Sequence, residues 1–478
     1  MTDSQPSSDP YSPAADDPAA EERVRSAVET GLPSTVADLS RLVRIPSVSW
    51  SAFDPANVRA SADAVAALLS ETGVFESVEV KQAPIDGDQL GQPAVLATRA
   101  ARNGRPTVLL YAHHDVQPPG SDEDWDTPPF EPTVRGDRLY GRGAADDKAG
   151  VMSHVASIRA LVEALGPDFD LGLAVFIEGE EEFGSRSFAN FLHENRTALA
   201  ADVIVVADSD NVDVDTPALT VSLRGNVTFR LTVSTLEHAS HSGMYGGAAP
   251  DAMLALIRLL ATLHDEDGAV AVEGFLSYDD AEEPPHLSEE QFREEAALLP
   301  GVTAVGTGPI LSRLWSKPTV TITGIDAPSV ANASNTLLPS AAVRVSARVA
   351  PGQPAAEAFA ALEKHLRANA PFGAHVDISD VDTGEAFLVD TAGWAATEAK
   401  RAMADAWGRE AAETGVGGSI PFIADLVREF PGAQILVTGV EDPDSRAHSP
   451  NESLHLGVFK RAILAEALLL ARLDRRTV

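Results

Sequence analysis

The chain has 478 residues, 44% apolar and 22% charged, with no cysteine and a formal net charge of −35. Without thiols there can be no disulfide, thiolate metal site or cysteine nucleophile. So acidic a surface repels phosphate backbones and anionic lipids, and no apolar stretch reaches the ~20 residues of a bilayer span, so neither nucleic acid nor membrane is expected as a partner.

The opening run MTDSQPSSDPYSPAADDPAAEE has no basic or apolar segment. It reads as a disordered tail over 1–21 rather than a secretory signal, and a cytoplasmic address is expected. Helical periodicity follows over about 23–44 and 57–73. The chain then alternates: strands SVEVKQA, PAVLATRA and TVLLYA, a helix over 149–165, strand LGLAVFI, a helix over 185–199, and strand DVIVVAD. Uninterrupted apolar strands alternating with helices predict a mainly parallel sheet covered on both faces.

Near Pro217 the style changes. ALTVSLRGNVTFRLTVST alternates like an antiparallel pair with one wet face. A helix over 251–264, strands TVTITGI, SAAVRVSARVA and AHVDISDV, and a helix over 354–369 suit an α+β open sandwich. From GEAFLVD the α/β style returns, with strand AQILVTG and a closing helix. The expected organisation is an α/β domain of residues 22–216 and 385–478, interrupted by an inserted domain over 217–384.

Ligands in such sheets sit beyond the carboxyl ends of the strands. TVLLYA is followed by His113, His114 and Asp115, LGLAVFI by Glu178, Glu180, Glu181 and Glu182, DVIVVA by Asp208 and Asp210, and AQILVTG by a loop reaching His448. Asp146 and Asp147 stand just before the helix near Ala149. The glutamate run alone would read as a solvated acidic turn; at one sheet edge with histidines it reads as a cation site. Imidazole with carboxylate suits zinc, with manganese and cobalt as alternatives. Five ligands exceed one catalytic zinc and suit two divalent ions sharing a carboxylate. The run GRGAAD begins like a dinucleotide loop, but Asp146 in its sixth position would repel a pyrophosphate. EDPDSRAHS lacks calcium-loop spacing. His154, His193, His238 and His264 lack carboxylate company in the sequence and read as structural or surface residues, and SDEDWD as a solvated loop.

The blocks YAHHDVQP, WDTPPFEPTVRGDRLYGRGAADDKAG, EGEEEFGS, HSGMYGG, GGSIP and AHSPNE, in this order between about 30 and 470, resemble the signatures of the dinuclear zinc exopeptidase and acylase family. The second block and HSGMYGG are most similar to its carnosine-type dipeptidase branch. The resemblance implies His113 and Asp208 on one metal, Glu182 and His448 on the other, and Asp146 as the bridge in a cis Asp–Asp pair. It implies Asp115 orienting His113, Glu181 as general base, and His241 reaching a neighbouring subunit's site to stabilise an oxyanion. It also implies that Arg348, Gly418 and Ser419 hold a substrate carboxylate. Alternatives within the motifs are a register shift to Glu180/Glu181, His114 in place of His113, and Asp210 in place of Asp208. The expectation is hydrolysis of dipeptides or short peptides with a free carboxylate by a homodimer joined through its inserted lid domain. An N-acyl-amino-acid amidohydrolase using the same site is the alternative, and a non-catalytic metal-binding scaffold a remote one.

Overall fold

In a computed structural model, the described residues are Tyr11, 16–279, 287–417 and 421–477. They divide into two compact units, the first running to Val221 and including Val389–Thr414 and the chain from Asp425 onward, the second comprising Ser222–Leu388 with Gly415–Ala424. In chain order the principal elements are α1 (Pro18–Val43), α2 (Pro55–Glu71), β1 (Ser77–Lys81), β2 (Ala94–Arg99), β3 (Thr107–His113), α3 (Lys148–Leu165), β4 (Gly172–Glu178), β5 (Val203–Ala207), β6 (Ala218–Leu223), β7 (Gly225–Ser234), α4 (Ala252–Leu260), β8 (Thr319–Asp326), β9 (Ser340–Val349), α5 (Ala355–Ala368), β10 (His375–Gly384), α6 (Trp394–Trp407), β11 (Gln434–Thr438) and α7 (Leu456–Leu473).

The first unit is a sheet in the order β1–β2–β4–β3–β5–β11–β6. Its centre, β4–β3–β5–β11, is parallel; β1, β2 and β6 pair antiparallel. Burial explains the apolar runs: every residue of β4 and β5 is buried, as are all but Thr107 of β3. Such strands need cover on both faces. α3 is correspondingly buried along most of its length, and α1, α3, α6 and α7 contribute to one continuous core with the sheet.

Two expectations change here. α1 begins at Pro18, where Asp17 accepts the Ala20 N–H and proline sits in the first turn, so regular structure starts inside the expected tail; the buried Arg472 of α7 holds Glu21 by two hydrogen bonds. Tyr11 is also buried, its ring 5.3 Å from Trp394. The segment ALTVSLRGNVTFRLTVST does not fold on itself: Thr220 of β6 pairs with Val437 of β11, whereas β7 lies inside a different sheet.

That second sheet, in the order β8–β9–β7–β10, is antiparallel. Val227, Phe229, Leu231 and Val233 alternate inward on β7 and pack with Leu256 and Leu259 of α4 and Leu362 and Leu366 of α5. Period-2 burial against two helices makes this unit a two-layer sandwich.

Candidate dinuclear metal centre

Neighbouring parallel strands bring their ends side by side. His113 closes β3 and Asp208 follows the last residue of β5, so His113 Nε2 lies 3.9 Å from an Asp208 oxygen. Asp146 and Asp147, joined by a cis peptide bond, lead into α3. Asp147 caps that helix, accepting the Gly150 N–H at 3.1 Å on Oδ1 and the His113 N–H at 3.1 Å on Oδ2. Only glycine fits at 150, because a Cβ there would stand 2.4 Å from the Ala207 carbonyl oxygen. The start of α3 is thereby pressed against the end of β5.

The Asp146 carboxylate lies between two histidines. Its Oδ1 is 3.2 Å from His113 Nε2 and its Oδ2 is 3.0 Å from His448 Nε2. His448 also lies 3.2 Å from Glu182. Two donor groups result, His113–Asp147–Asp208 and Asp146–Glu182–His448, each with its atoms within 4.8 Å of one another. Asp147, placed at the site by the sequence but given no ligand role there, is among these donors, although both of its oxygens already accept backbone N–H groups.

Asp115 is fully buried and organises the floor of the site. One of its oxygens is 3.4 Å from His113 Nδ1; its carboxylate also accepts the Ser49 hydroxyl at 2.7 Å and the N–H groups of Glu181 and Glu182, each at 3.1 Å. One side chain therefore sets both the imidazole and the turn bearing the two glutamates. Glu182 accepts the Gln117 N–H at 3.0 Å and its side-chain amide at 2.6 Å. Among the described residues none makes such a contact to Glu181; its Oε2 is 3.9 Å from His113 Nε2, and the side chain keeps 22% exposure.

The other two glutamates are not a wet turn. Glu178 and Glu180 are both buried. Glu178 accepts the Tyr111 hydroxyl at 2.7 Å and the Ser185 hydroxyl at 3.2 Å, while Glu180 accepts the Ser187 N–H at 2.9 Å and Arg186 at 3.2 Å. Burial pushes Glu178 up to about 8, so it holds a proton at neutral pH. His114 is turned to the Pro93 carbonyl at 2.9 Å, and burial brings it down to about 4, leaving it neutral. His154, expected to lack carboxylate company, lies 2.9 Å from Glu466 of α7, a pairing across elements that sequence spacing cannot display.

Burial and mutual repulsion raise the acids of the cluster: Glu182 to about 7, chiefly by burial with the Asp146 charge adding, and Asp208 to about 6, again by burial first. Glu181 is raised well above the carboxylate range by burial, with Asp208 and Glu182 beside it. Asp146 goes the other way: burial opposes its charge, but hydrogen bonds from His113 and His448 hold it ionised. Carboxylates forced to keep protons in this way, set among imidazole nitrogens, are a donor set that a divalent cation would satisfy.

The other site residues expected from the sequence belong to the second unit. His241 is exposed and accepts the Gly243 N–H at 3.1 Å. Arg348 lies on β9, opposite Asn226 of β7 and Thr319 of β8. Burial and the Arg348 charge bring the nearby Arg224 down to about 10, and the donors of Arg224 go to the carbonyls of Gly417, Arg313 and Lys317. Gly418 and Ser419 lie outside the described residues.

The sequence model of peptidase family M20/M25/M40 matches residues 109–472, which span every element of this cluster. The chain belongs to that family. Membership brings divalent metal ions with it. Among its relatives, the cysteinylglycine-S-conjugate dipeptidase of Corynebacterium striatum is 38% identical over 366 residues, 76% of this chain and 80% of that protein. The Cys-Gly metallodipeptidase dug1 of Schizosaccharomyces pombe is 26% identical across 90% of this chain and 93% of its own length. The solved structure of the dipeptidase Dug1p from Saccharomyces cerevisiae shares the fold with a TM-score of 0.73 at 23% identity, covering 95% of this chain and 99% of that one. Human carnosine dipeptidase 1 does so with a TM-score of 0.72 at 24% identity, covering 97% and 100%. Among the described residues no helix is long and apolar enough to cross a membrane.

Proposed function

We propose that this M20/M25/M40 peptidase is a dinuclear metallodipeptidase that cleaves the peptide bond of dipeptides bearing a free carboxylate. The observation that carries the reading is the Asp146 carboxylate lying between His113 and His448, with Glu181 Oε2 3.9 Å from His113 Nε2 and, among the described residues, accepting no N–H. His113, Asp208 and Asp146 would hold one ion, and Asp146, Glu182 and His448 the other, with zinc preferred for this nitrogen and oxygen donor set. A metal pair so held would supply Lewis acidity and lower the pKa of a bound water.

The chain's own residues do the rest. Glu181 takes the proton of the attacking water and delivers it to the departing amine nitrogen; bound cations would offset the repulsion of its acidic neighbours and leave it ionised for that task. Asp115 keeps the His113 ring and the Glu181 backbone in one frame, so base and ligand do not drift apart. In the second unit, Arg348 is the group for the substrate carboxylate, assisted by Gly418 and Ser419. A planar guanidinium suits a carboxylate through its two-donor fork, and the Arg348 charge is felt at Arg224, whose own donors go to the carbonyls of Gly417, Arg313 and Lys317. His241 would stabilise the tetrahedral oxyanion in the partner of a homodimer, which the outward apolar residues Leu254 and Ile257 of α4 support as a dimer face.

The test is a screen of the zinc- or manganese-reconstituted enzyme against dipeptides and matched N-acetyl and N-succinyl amino acids. Turnover confined to peptides with a free amino terminus is expected. Preference for the acylated compounds would replace the dipeptidase reading with a deacylase using the same residues. Turnover of neither would leave metal retention without catalysis.

A further inference from the structure

The loop carrying His448 is not held in shape by regular backbone. Arg446, His448 and Asn451 all have left-handed φ angles, 56°, 62° and 63°. Such conformations persist in residues other than glycine only where the surroundings over-determine them. Among those surroundings, directly after the loop, is the side chain of Glu452, whose exposure is 0%.

Four donors converge on that carboxylate. Its Oε2 accepts Arg142 Nη1 at 2.7 Å and the Gly143 N–H at 3.0 Å; its Oε1 accepts the N–H groups of Ala145 at 2.9 Å and Asp146 at 3.1 Å. Arg142, itself 1% exposed, turns its second nitrogen to the Ser449 carbonyl at 3.3 Å, directly beside His448. The Glu452 carbonyl accepts the Gly141 N–H at 3.0 Å, and Ser453 pairs in register with Tyr140. One carboxylate thus joins the segment that ends in Asp146 to the segment that carries His448. These two side chains, in contact at 3.0 Å, both belong to the donor group Asp146–Glu182–His448.

We infer that Glu452 is a positioning residue: it fixes the separation of Asp146 and His448, and so tunes the ion held by Asp146, Glu182 and His448. His113 and Asp208 stand at strand ends and meet this clamp only through the shared Asp146, so the other ion depends on it less. An ion pair that merely stabilised the fold would affect both ions alike or neither. The inference rests on the two-ion reading.

The experiment is a titration of the metal-free protein with Zn²⁺ in competition with a chromogenic chelator. Wild type is expected to take two ions with separable dissociation constants. Glu452→Gln keeps the volume but aims an amide NH₂ at backbone N–H donors. It should raise one of the two constants about 10–100-fold, the range for losing a partner that orients ligands, while the other stays near its wild-type value. Arg142→Lys keeps the positive charge but loses the fork that reaches Ser449; it should weaken the same ion less, and it serves if Glu452→Gln does not fold. Wild type taking fewer than two ions would overturn the two-ion reading itself. Two ions in wild type, with both constants unchanged or both shifted equally in the variants, would overturn the positioning role alone.

Discussion

The two halves of the cluster are built differently. His113 and Asp208 stand on the ends of neighbouring parallel strands, and the His113 side chain is 1% exposed. Glu182 stands on a single 3₁₀ turn and His448 on an irregular loop, where its side chain is 59% exposed. A strand buried on both faces fixes where its end residue leaves the sheet, so that Asp115 has only the His113 ring left to orient. A loop does not, and the structure shows the extra apparatus it requires: Glu452 and Arg142 on one side, and Arg138 with both oxygens of Asp442 at 3.1 and 3.0 Å on the other. Rigidity inherited from a sheet is legible in a sequence, whereas rigidity assembled from buried polar contacts is not.

The largest effect should come from the one residue common to both halves. Asp146→Ala removes the carboxylate between His113 and His448. It is expected to cut turnover by more than about 10⁴-fold, beyond what loss of a single proton-transfer group costs, and to reduce metal content from two ions per chain. Elemental analysis of the purified variant alongside its rate checks both parts. Retention of two ions would mean that the halves are independent sites.

Glu181→Gln should come next. Glu181 lies 3.9 Å from His113 and belongs to neither donor group, so the amide should leave both ions bound while turnover falls about 10²–10⁴-fold, the usual worth of a general base. Loss of an ion would make Glu181 a ligand, and the two halves would need redrawing. Asp115→Asn is milder and sharpens the contrast directly. It disturbs the His113 ring and should weaken the strand-end ion about 10–100-fold, the mirror of the loss expected at Glu452 on the loop side. A common loss at both ions would show that Asp115 acts mainly through the Glu181–Glu182 backbone.

The same contrast explains what could be read in advance. Strand β3 and its His113, and strand β5 and its Asp208, follow from one rule, an apolar run and then the side chain just past it. The α/β sheet and the family resemblance were legible for that reason and because six ordered blocks are specific. Glu452 was invisible because three of its four donors are backbone N–H groups, which leave no mark on composition or spacing. Glu178 and Glu180 looked like solvated charge because sequence does not say that Tyr111, Ser185 and Ser187 point hydroxyls at them. The change of unit between Val221 and Ser222 leaves no mark in the pattern, because β6 and β7 alternate alike while serving different sheets. His154 did leave a signal, but on its partner: Glu466 interrupts the apolar run AILAEALLL of α7.

His154 supplies the smallest prediction, a test of the floor beneath the strand-end half. Both ring nitrogens face acceptors, Nδ1 the Glu466 carboxylate at 2.9 Å and Nε2 the Tyr111 carbonyl of β3 at 2.9 Å. A neutral imidazole has only one N–H to give, so this geometry calls for the doubly protonated ring. Burial opposes that charge, but Glu466 outweighs it and raises the His154 pKa above 6.5. A histidine raised in the folded state contributes stability in full below its unfolded pKa and loses it as pH climbs through the folded value. Wild type should therefore lose stability relative to the double variant His154→Gln/Glu466→Gln as pH rises above about 6.5. The slope should not exceed about 1.4 kcal/mol per pH unit, the limit for one proton. The double variant removes both charges together, so no lone carboxylate is left buried to add a slope of its own. Urea unfolding of both proteins at pH 6, 7, 8 and 9, loaded with the same metal, isolates the difference. Parallel curves would mean a neutral ring, and a floor under β3 held by packing rather than by charge.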